Sequence, residues 1–576
     1  MSAALAYTDA STTARALHVL DRTQLAAWRT TQSATVNAWI DAQGFAAGAG
    51  SLLLLPGEDG LAGAVIGIGD PLDPYSYAHA PFGLPAGDWQ LASDLSVDAH
   101  TALQLGWGLG SYRFDRYKQP ARKPARLVLP QADAEALDLL AASLQVRDLV
   151  NTPTEHMGPD ELEAAVRELA ATHGAQVEVV AGDALLAQNF PAIHAVGRAS
   201  HRAPRLVVLR WGRETDPALV LVGKGVCFDT GGLDIKPADG MRNMKKDMGG
   251  AAHAIALAEL VMARKLPLHL TLLVPAVENS IGPNAFRPGE VIATRKGVSV
   301  EIDNTDAEGR VILCDALAYA GEQSPELLLD FATLTGAARI ALGPDLPALF
   351  ANDDAVAHDW IAAGERTRDP VWRMPLWRPY LRYLTSGIAD LANAGSRMAG
   401  AQADAGAHAC KGARQVLQRD AEGRDRAAVD ALRRARQVPA GGCLQCMRHF
   451  AHHRVPSEHV ALGIVEQRHP LNPGKRQHMG MLGQRLGHET FQLGADPHHQ
   501  IGVIDAANIG RAQGKIVGRR TGGQQHPGLA HTIGDRRRDE AQGFDGGQHL
   551  EGTDRQAHCQ QGSDQCKNSH RYLVRK

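Results

Sequence analysis

The stretch "PALVLVGKGV", residues 217–226, is an aliphatic and β-branched run of the kind that forms a strand buried on both faces of a sheet. The stretch "GGAAHAIALAELVMARK" (249–265) then has apolar residues at helical spacing and ends on cations, as a helix C-terminus favours. A second buried strand, "LHLTLLVPAVE" (268–278), follows directly. A strand, a helix and a strand in this order predict a parallel sheet covered by helices.

The same alternation continues on both sides of this unit. "RLVVLRW" (205–211) is a further strand upstream, and downstream the helical "GRVILCDALAYAG" (309–321) precedes the strand "ELLLDFATLTG" (326–336). We therefore predict an α/β fold class, in which residues 151–401 form a domain with a central, mostly parallel sheet covered by helices. Ligands of such sheets bind beyond the carboxyl ends of the strands.

The region before this domain divides into two parts. Residues 1–130 mix helical and strand patterns and predict a small N-terminal α/β domain. Its last part, "GSYRFDRYKQPARKPARLVL" (110–129), is basic and punctuated by proline, which indicates a linker. Leucines three and four positions apart predict a linker helix over 131–150.

The composition is that of a soluble globular protein, since 44% of the 576 residues are hydrophobic and 21% are charged. No run of about 18 apolar residues is present, so we expect no membrane span. The N-terminus lacks the basic start and apolar core of a secretory signal, and Cys227 and Cys314 stand alone in the first 400 residues. These features predict a protein of the reducing cytoplasm.

Three polar clusters lie just past predicted strand ends, in "GKGVCFDTGGLDIKP" (223–237), "MKKDMGGAA" (244–252) and "NTDAEGR" (304–310). Their candidate functional side chains are Lys224, Asp229, Lys236, Asp247, Asp306, Glu308 and Arg310. If the clusters meet, four carboxylates share one pocket and raise one another's pKa. Two divalent metal ions would balance the charge of these acids. The sequence thus predicts a two-metal site.

The types of ligand narrow the choice of metal and of reaction. Carboxylate oxygens suit Mg and Mn, and they suit Zn when a nitrogen donor joins them. Lys224 could be that donor, because a neighbouring dication favours the neutral amine. Two metals roughly 3.5–4 Å apart generate hydroxide at neutral pH and polarise a carbonyl. Lys236 and Arg310 would then face the charge that develops on a tetrahedral intermediate.

Each cluster also has a purely structural interpretation. Asp306 and Glu308 could form a solvated turn, and "GKGVCFDTGG" (223–232) could be an ordinary glycine-rich turn. The latter lacks the Ser or Thr that follows Gly-Lys in a phosphate-binding loop. Lys245 and Lys246 read as surface charge. The joint occurrence of the three clusters, each at a strand end, favours the functional interpretation.

The same segments resemble the signature of the leucyl aminopeptidase (cytosol aminopeptidase) family. The stretches that carry the resemblance are "NTDAEGR" before an apolar helix, "VGKGVCFDTGGLDIKP", "MKKDMGGAA", "DFATLTGA", "LVNTPTEHMGP" (149–159) and "NAFRPGEVI" (284–292). The resemblance covers roughly residues 145–401 and is only loose in the N-terminal region. It implies that 151–401 is the catalytic domain of a di-metal aminopeptidase that lacks its usual C-terminal end.

The resemblance implies an enzyme that hydrolyses the N-terminal residue of peptides with free N-termini, with a leucine-type preference. It implies two divalent ions per subunit, Mn or Zn with Mg as a further option, and a bicarbonate at Arg310. The implied metal ligands are Lys224, Asp229, Asp247, Asp306 and Glu308, the catalytic pair is Lys236 and Arg310, and the substrate-binding residues are Met244, Thr333, Leu334 and Gly336. Asp229 and Glu308 would bridge the two ions. The family is cytoplasmic and usually hexameric, with active sites facing an internal cavity.

The resemblance does not extend to residues 402–576. This segment holds 26 Lys plus Arg against 17 Asp plus Glu, a net charge of +9, whereas the rest of the chain has a net charge of −12. It holds 15 of the 25 histidines and none of the tryptophans. Sustained apolar periodicity is scarce, so a packed core is hard to build. We therefore expect an irregular tail that is largely disordered, or loosely collapsed on a catalytic domain that lacks its final elements.

Two interpretations of residues 402–576 remain open. The stretch "CLQCMRHFAHH" (443–453) could form a zinc-binding nucleic-acid module, with Cys443, Cys446, His449, His452 and His453 as ligands. The interpretation that we favour is a shifted reading frame in a GC-rich gene. The alternative functions are accordingly a catalytically impaired family member or a DNA-binding regulator that uses the basic tail. Nucleic acid is otherwise not an expected partner, and no membrane partner is expected.

Overall fold

The computed structural model describes residues 6–58 and 60–395, together with the backbone of Ala461–Gln467. Its N-terminal part, up to residue 130, is a mixed α/β domain. The strands of this domain are β1 (Tyr7–Thr8), β2 (Arg15–Leu20), β3 (Leu52–Gly57), β4 (Gly60–Gly67), β5 (Asp88–Leu91) and β6 (Arg126–Val128). Its helices are α1 (Leu25–Arg29), α2 (Ala34–Gln43), α3 (Ala80–Gly83) and α4 (Val97–Ser111), with a 3-10 turn at Pro74–Ser76.

The N-terminal sheet has the order β1-β6-β5-β2-β4-β3. Its strands are parallel except for the antiparallel hairpin of β3 and β4. The linker predicted over residues 110–129 is wrong at its C-terminal end, because strand β6 lies there and pairs with both β1 and β5 inside the sheet. Leu127 and Val128 are buried there, so their apolar side chains extend the domain core instead of a solvated connection.

The larger second part contains the remaining elements. Its strands are β7 (Gln176–Ala181), β8 (Arg205–Trp211), β9 (Ala218–Gly223), β10 (Gly225–Asp229), β11 (His269–Asn279), β12 (Val291–Ala293), β13 (Ser299–Glu301), β14 (Leu327–Ala332), β15 (Ala348–Ala351), β16 (Trp372–Arg373), β17 (Leu391–Ala392) and β18 (Ala461–Gln467). Its helices are α5 (Ala134–Asn151), α6 (Pro159–His173), α7 (Ala184–Ala187), α8 (Pro191–Gly197), α9 (Ala238–Met241), α10 (Gly249–Ala263), α11 (Glu308–Glu322), α12 (Ala337–Leu342) and α13 (Asp354–Arg366). Short 3-10 helices cover Thr154–His156, Met244–Met248 and Arg378–Leu384.

The main sheet has the order β16-β15-β18-β14-β9-β11-β8-β7, with β10 pairing alongside β11. Its centre is parallel, as predicted, since β14, β9, β11 and β10 all run in one direction. Strands β8 and β7 are antiparallel to their neighbours at one side. A small sheet of β12, β13 and β17 lies apart from it. The α/β fold class predicted from the sequence is therefore confirmed.

The central strand β9 shows why the apolar run at residues 217–226 has no alternating polar side chains. Leu219 and Leu221 pack into a core with helices α5 and α10, whereas Val220 and Val222 pack into a second core with α8 and α11. Alternate side chains of one strand thus enter two cores, because helices cover both faces of the sheet.

The single strand predicted over 217–226 is two strands, which break at Lys224. The backbone N–H of Lys224 donates to Phe331 O at 2.9 Å, and its carbonyl accepts from Ala251 N at 2.8 Å. After this break the pairing with β14 ends, while β10 stays beside β11, with which β9 also pairs. The break aims the Lys224 side chain past the end of β9.

The C-terminal segment is described only at β18, which pairs antiparallel with β14 and parallel with β15. The predicted irregular tail and the Cys/His cluster around Cys443 otherwise lie outside the described residues. Within residues 6–58 and 60–395, no helix is long and apolar enough to cross a membrane.

Candidate active site

The carboxyl ends of the central parallel strands meet at one sheet edge, and the segments that follow them enclose a cavity of about 240 Å³. The structure brings all seven predicted metal and catalytic side chains into its lining. These are Lys224, Asp229, Lys236, Asp247, Asp306, Glu308 and Arg310. Clusters that are up to 86 residues apart in sequence thus converge because each follows a neighbouring strand or opens a helix packed on the sheet.

Lys224 lies at the floor of the cavity and is buried. Its Nζ is 2.8 Å from Asp247 Oδ2 and 2.9 Å from Glu308 Oε1, and it donates to Thr333 O at 2.9 Å. Burial acts to lower the pKa of Lys224, but the carboxylates of Asp247 and Glu308 outweigh it and raise this pKa above its ordinary value. The ammonium is therefore held charged by the acids around it.

Lys236 contacts the other pair of acids. Its Nζ lies 2.9 Å from Asp229 Oδ2 and also contacts Asp306 Oδ1. Burial acts to lower the pKa of Lys236, but the charges of Asp229 and Asp306 raise it above the ordinary lysine value. Each lysine of the cavity thus bridges two carboxylates.

The carboxylates remain short of positive charge even with these lysines. Asp229, Asp306 and Glu308 each place an oxygen within 4.8 Å of the others, which is the spacing of a metal-ion site. Burial and the charge of Asp229 raise the pKa of Glu308 well above its usual range, and the same two causes raise the pKa of Asp306 to about 6. The pKa of Asp247 is shifted in the opposite direction. Burial acts to raise it, but the charges of Lys224 and Lys246 outweigh burial and bring it below the ordinary value.

Two glycines allow the backbone to approach these groups. A Cβ on Gly309, in the first turn of α11, would lie 2.5 Å from Cε and 2.7 Å from Nζ of Lys224. Gly231 has φ +87°, and a Cβ there would lie 2.4 Å from Asp234 O. The glycine inside "NTDAEGR" is thus required by the close approach of helix α11 to Lys224.

The predicted substrate-binding residues divide into two groups. Thr333, Leu334 and Gly336 follow β14 and line the cavity. The hydroxyl oxygen of Thr333 lies 2.8 Å from Asp247 Oδ1, so its side chain also contacts a candidate metal ligand. Met244 is buried in the 3-10 helix before α10 and is not among the residues that line the cavity.

Two buried residues of the site were not predicted from the sequence. Asn279 ends β11 and its Nδ2 donates to Asp229 Oδ1 at 2.8 Å and to Thr305 O at 3.0 Å. The Thr305 hydroxyl donates to Gly231 O at 2.6 Å. A polar residue directly after the apolar run "LHLTLLVPAVE" was the available signal for Asn279, since the other clusters also follow strand ends.

Comparison with protein families matches both α/β domains. The model of the cytosol aminopeptidase family, catalytic domain, matches residues 144–413, and that of the M17 aminopeptidase N-terminal domain matches residues 16–130. The resemblance therefore includes the N-terminal region, for which the sequence segments had indicated only a loose one.

Similar proteins were found among curated sequences and solved structures. A probable cytosol aminopeptidase of Syntrophotalea carbinolica is 40% identical over 341 residues, which cover 56% of this chain and 67% of the relative. The crystal structure of a cytosol aminopeptidase from Coxiella burnetii matches with 46% identity and a TM-score of 0.68, covering 70% of this chain and 90% of the other. The bottromycin maturation enzyme BotP in complex with Mn matches with 32% identity and a TM-score of 0.61, covering 70% and 88%.

The matches leave part of each chain unaligned. This chain spans between 65% and 67% of the length of the first curated relatives that it matches.

Proposed function

The chain belongs to the cytosol aminopeptidase family, and on that premise we propose that it hydrolyses the N-terminal residue of peptides in a metal-dependent reaction. The observation that carries this proposal is the convergence of four carboxylates and three cationic side chains on one cavity at the carboxyl edge of the sheet. A structural role would not need four buried or half-buried acids in one place, because their mutual repulsion and desolvation cost stability.

The residues of the cavity fit two divalent cations. Three carboxylates within 4.8 Å of one another, together with Asp247 and the Lys224 nitrogen, offer the oxygen and nitrogen donors that Mn and Zn take, and Mg is a further option. We infer from the family resemblance that Asp229 and Glu308 would hold the ions together with Lys224, Asp247 and Asp306. When bound, such ions supply Lewis-acid activation of water and of a peptide carbonyl.

Lys236 and Arg310 would act on the substrate directly. Lys236 reaches the cavity between Asp229 and Asp306, from where its ammonium can donate to the oxygen of the scissile carbonyl. Arg310 lines the same cavity and donates from Nη1 to Asn393 O at 2.9 Å. We propose that this guanidinium would hold a bicarbonate, which when bound would supply a general base.

The substrate would lie along the segment after β14. Thr333, Leu334 and Gly336 form one wall of the cavity, where backbone groups can align an extended peptide. We propose a leucine-type preference for the N-terminal side chain. Met244, which the family resemblance implies for its pocket, lies outside the lining of this cavity. We also propose that the enzyme acts in the cytoplasm as a homo-hexamer.

The first test replaces one candidate metal ligand and one matched acid of the same helix. The full chain should bind two equivalents of Mn²⁺ and release leucine from a leucyl 4-nitroanilide, a chelator should abolish the turnover, and Mn²⁺ should restore it. Glu308→Ala, at the start of α11, should lose both the turnover and the two-metal stoichiometry. Glu322→Ala, at the exposed end of the same helix, should keep both.

Metal analysis and initial rates check this prediction together. Unchanged Mn²⁺ content in Glu308→Ala would remove this residue from the metal site. Wild-type turnover that survives complete removal of metal would refute the metal-dependent reaction itself.

A further inference from the structure

Asn279 is fully buried at the end of β11, directly behind the candidate metal ligand Asp229. Its Nδ2 lies 2.8 Å from Asp229 Oδ1 and 3.0 Å from Thr305 O. Both of these atoms can only accept hydrogen bonds when the carboxylate is ionised, so the amide must present its NH₂ group to them. The orientation of the Asn279 side chain is thereby fixed by its partners.

This amide determines which oxygen of Asp229 faces the cavity. Asp229 Oδ1 accepts two hydrogen bonds, from Asn279 Nδ2 and from Gly231 N, each at 2.8 Å. The second oxygen, Oδ2, is left to face the cavity, where Lys236 Nζ lies 2.9 Å away. Two donors behind one oxygen hold the carboxylate against rotation, as groups behind metal ligands do in metal sites generally.

The same amide connects Asp229 with the segment that carries Asp306 and Glu308. Its second hydrogen bond goes to the carbonyl of Thr305, the residue before Asp306. The Thr305 hydroxyl in turn donates to Gly231 O at 2.6 Å, so the two segments are joined twice. Asn279 thus fixes the distance between carboxylates that come from different elements.

The backbone of Asn279 is held independently of its side chain. Its carbonyl accepts from Thr230 N at 3.0 Å, and Asp229 pairs with Asn279 in the parallel register of β10 and β11. Removal of the amide should therefore leave the strand pairing in place and affect the carboxylates in front of it.

We propose that Asn279 is a positioning residue of the metal site, which orients Asp229 and ties it to the segment of Asp306. This proposal rests on the proposed function, since it requires that metal ions bind these carboxylates. It assigns to Asn279 an effect on metal affinity rather than a contact with metal or substrate.

The test compares Mn²⁺ binding to the full chain with that of three variants. Asn279→Leu keeps the approximate volume but removes both hydrogen bonds, and Asn279→Ser is a smaller change for the case that leucine prevents folding. Gln104→Leu is the matched control, because Gln104 is also a buried amide. Gln104 lies in α4, and its Oε1 accepts a hydrogen bond from the backbone N–H of Asp133, the residue before α5. Both residues are far along the chain from the cavity residues. Calorimetric titration of each metal-free protein gives the Mn²⁺ affinity, and thermal unfolding without metal gives the stability.

The expected result is a loss of Mn²⁺ affinity of roughly 10- to 100-fold in the Asn279 variants, as for other groups that orient metal ligands. Gln104→Leu should lower the unfolding temperature without changing the Mn²⁺ affinity. A folded Asn279 variant with an affinity within about twofold of the wild type would overturn the proposal, and so would an equal loss in Gln104→Leu. A wild-type chain that binds no Mn²⁺ would instead refute the proposed function on which the inference rests.

Discussion

At the scale of single residues, the contacts of Lys224 show how little free space the site leaves. Its ammonium contacts Asp247, Glu308 and the carbonyl of Thr333, and its methylene groups lie against Gly309. The pKa of this lysine is raised because two carboxylates outweigh the effect of burial. Its position therefore depends on close packing by a neighbour that has no side chain.

Gly309→Ala should displace the Lys224 side chain, because the added Cβ would lie 2.5 Å from Lys224 Cε. Overpacking of this kind typically costs about 1–3 kcal/mol of stability. We expect Gly309→Ala to lower the unfolding temperature and to reduce kcat for peptide hydrolysis. Gly387→Ala is the control, since a Cβ there would meet nothing within 4 Å. Equal stability and kcat in both variants would contradict the tight contact at position 309.

The individual residues of the cavity were predicted from the sequence to different extents. The seven charged side chains were identified because acids and lysines clustered past strand ends, and the structure brings them together. Asn279 and Thr305 were missed, because a single amide or hydroxyl gains its meaning only from the group that it faces. Their roles, like those of the charged residues, stay predictions until variants are measured.

At the scale of secondary-structure elements, helix α11 connects the cavity with helix α8, which packs into the same core on one face of the sheet. Glu308 at the start of α11 lines the cavity, while Asp315, about two helix turns further on, is fully buried against α8. Asp315 Oδ2 accepts from Ala192 N at 2.8 Å in the first turn of α8, and Oδ1 accepts from Arg295 N at 2.7 Å. The carboxylate of Asp315 thus accepts hydrogen bonds both from the first turn of α8 and from the loop that follows β12.

The buried Asp315 should make the stability depend on pH. Burial raises the pKa of Asp315 to about 6, above the ordinary aspartate value of about 4, although three backbone N–H groups oppose this. Between these values the folded state holds a proton that the unfolded state has lost, so the free energy of unfolding falls as pH rises from about 4 to 6. The full effect is on the order of 3 kcal/mol. Asp315→Asn should remove this part of the pH dependence.

Denaturant unfolding of wild type and Asp315→Asn at several pH values checks this prediction. Parallel pH profiles of the two proteins would show that Asp315 ionises in the folded state as it does in the unfolded chain. A fall in overall stability of the variant at all pH values is expected in addition, since asparagine can accept fewer of the three hydrogen bonds.

The elements themselves were predicted best where they are long. The runs that became β8, β11 and β14 are continuous apolar stretches, and those that became α10 and α11 carry helical spacing of apolar residues. The short strands β1, β16 and β17, each of two residues, depend on pairing with distant segments and have no periodic signal. The break between β9 and β10 was missed because hydrophobicity continues across Lys224, while the pairing with β14 ends there and the pairing with β11 continues.

At the scale of the whole molecule, the main sheet continues past β14 through β18 and then β15. Strand β18 comes from a segment far along the chain and forms ladders on both of its edges. The tail predicted as irregular therefore contributes a strand at Ala461–Gln467. Its long sequence separation is why no local pattern could predict this pairing.

Truncation after Ala401 should destabilise the molecule, because removal of β18 would leave both β14 and β15 with an unpaired edge. We expect the truncated chain to unfold at a lower temperature than the full chain and to self-associate at micromolar concentration. Thermal unfolding and light scattering of both chains measure these effects. A truncated chain that is monodisperse and equally stable would show that β18 adds nothing, as a shifted reading frame would imply.

The two lysines that bridge the carboxylates would make the proposed binding of metal ions an acid–base reaction. Each incoming dication would have to compete with an ammonium group and with protons on Asp306 and Glu308, whose pKa values are raised by burial and by the charge of Asp229. Loading would therefore expel protons into solution, and acidification would drive the metal back out. The occupancy of the proposed metal site would consequently be set by the pH and by the free metal concentration around the protein.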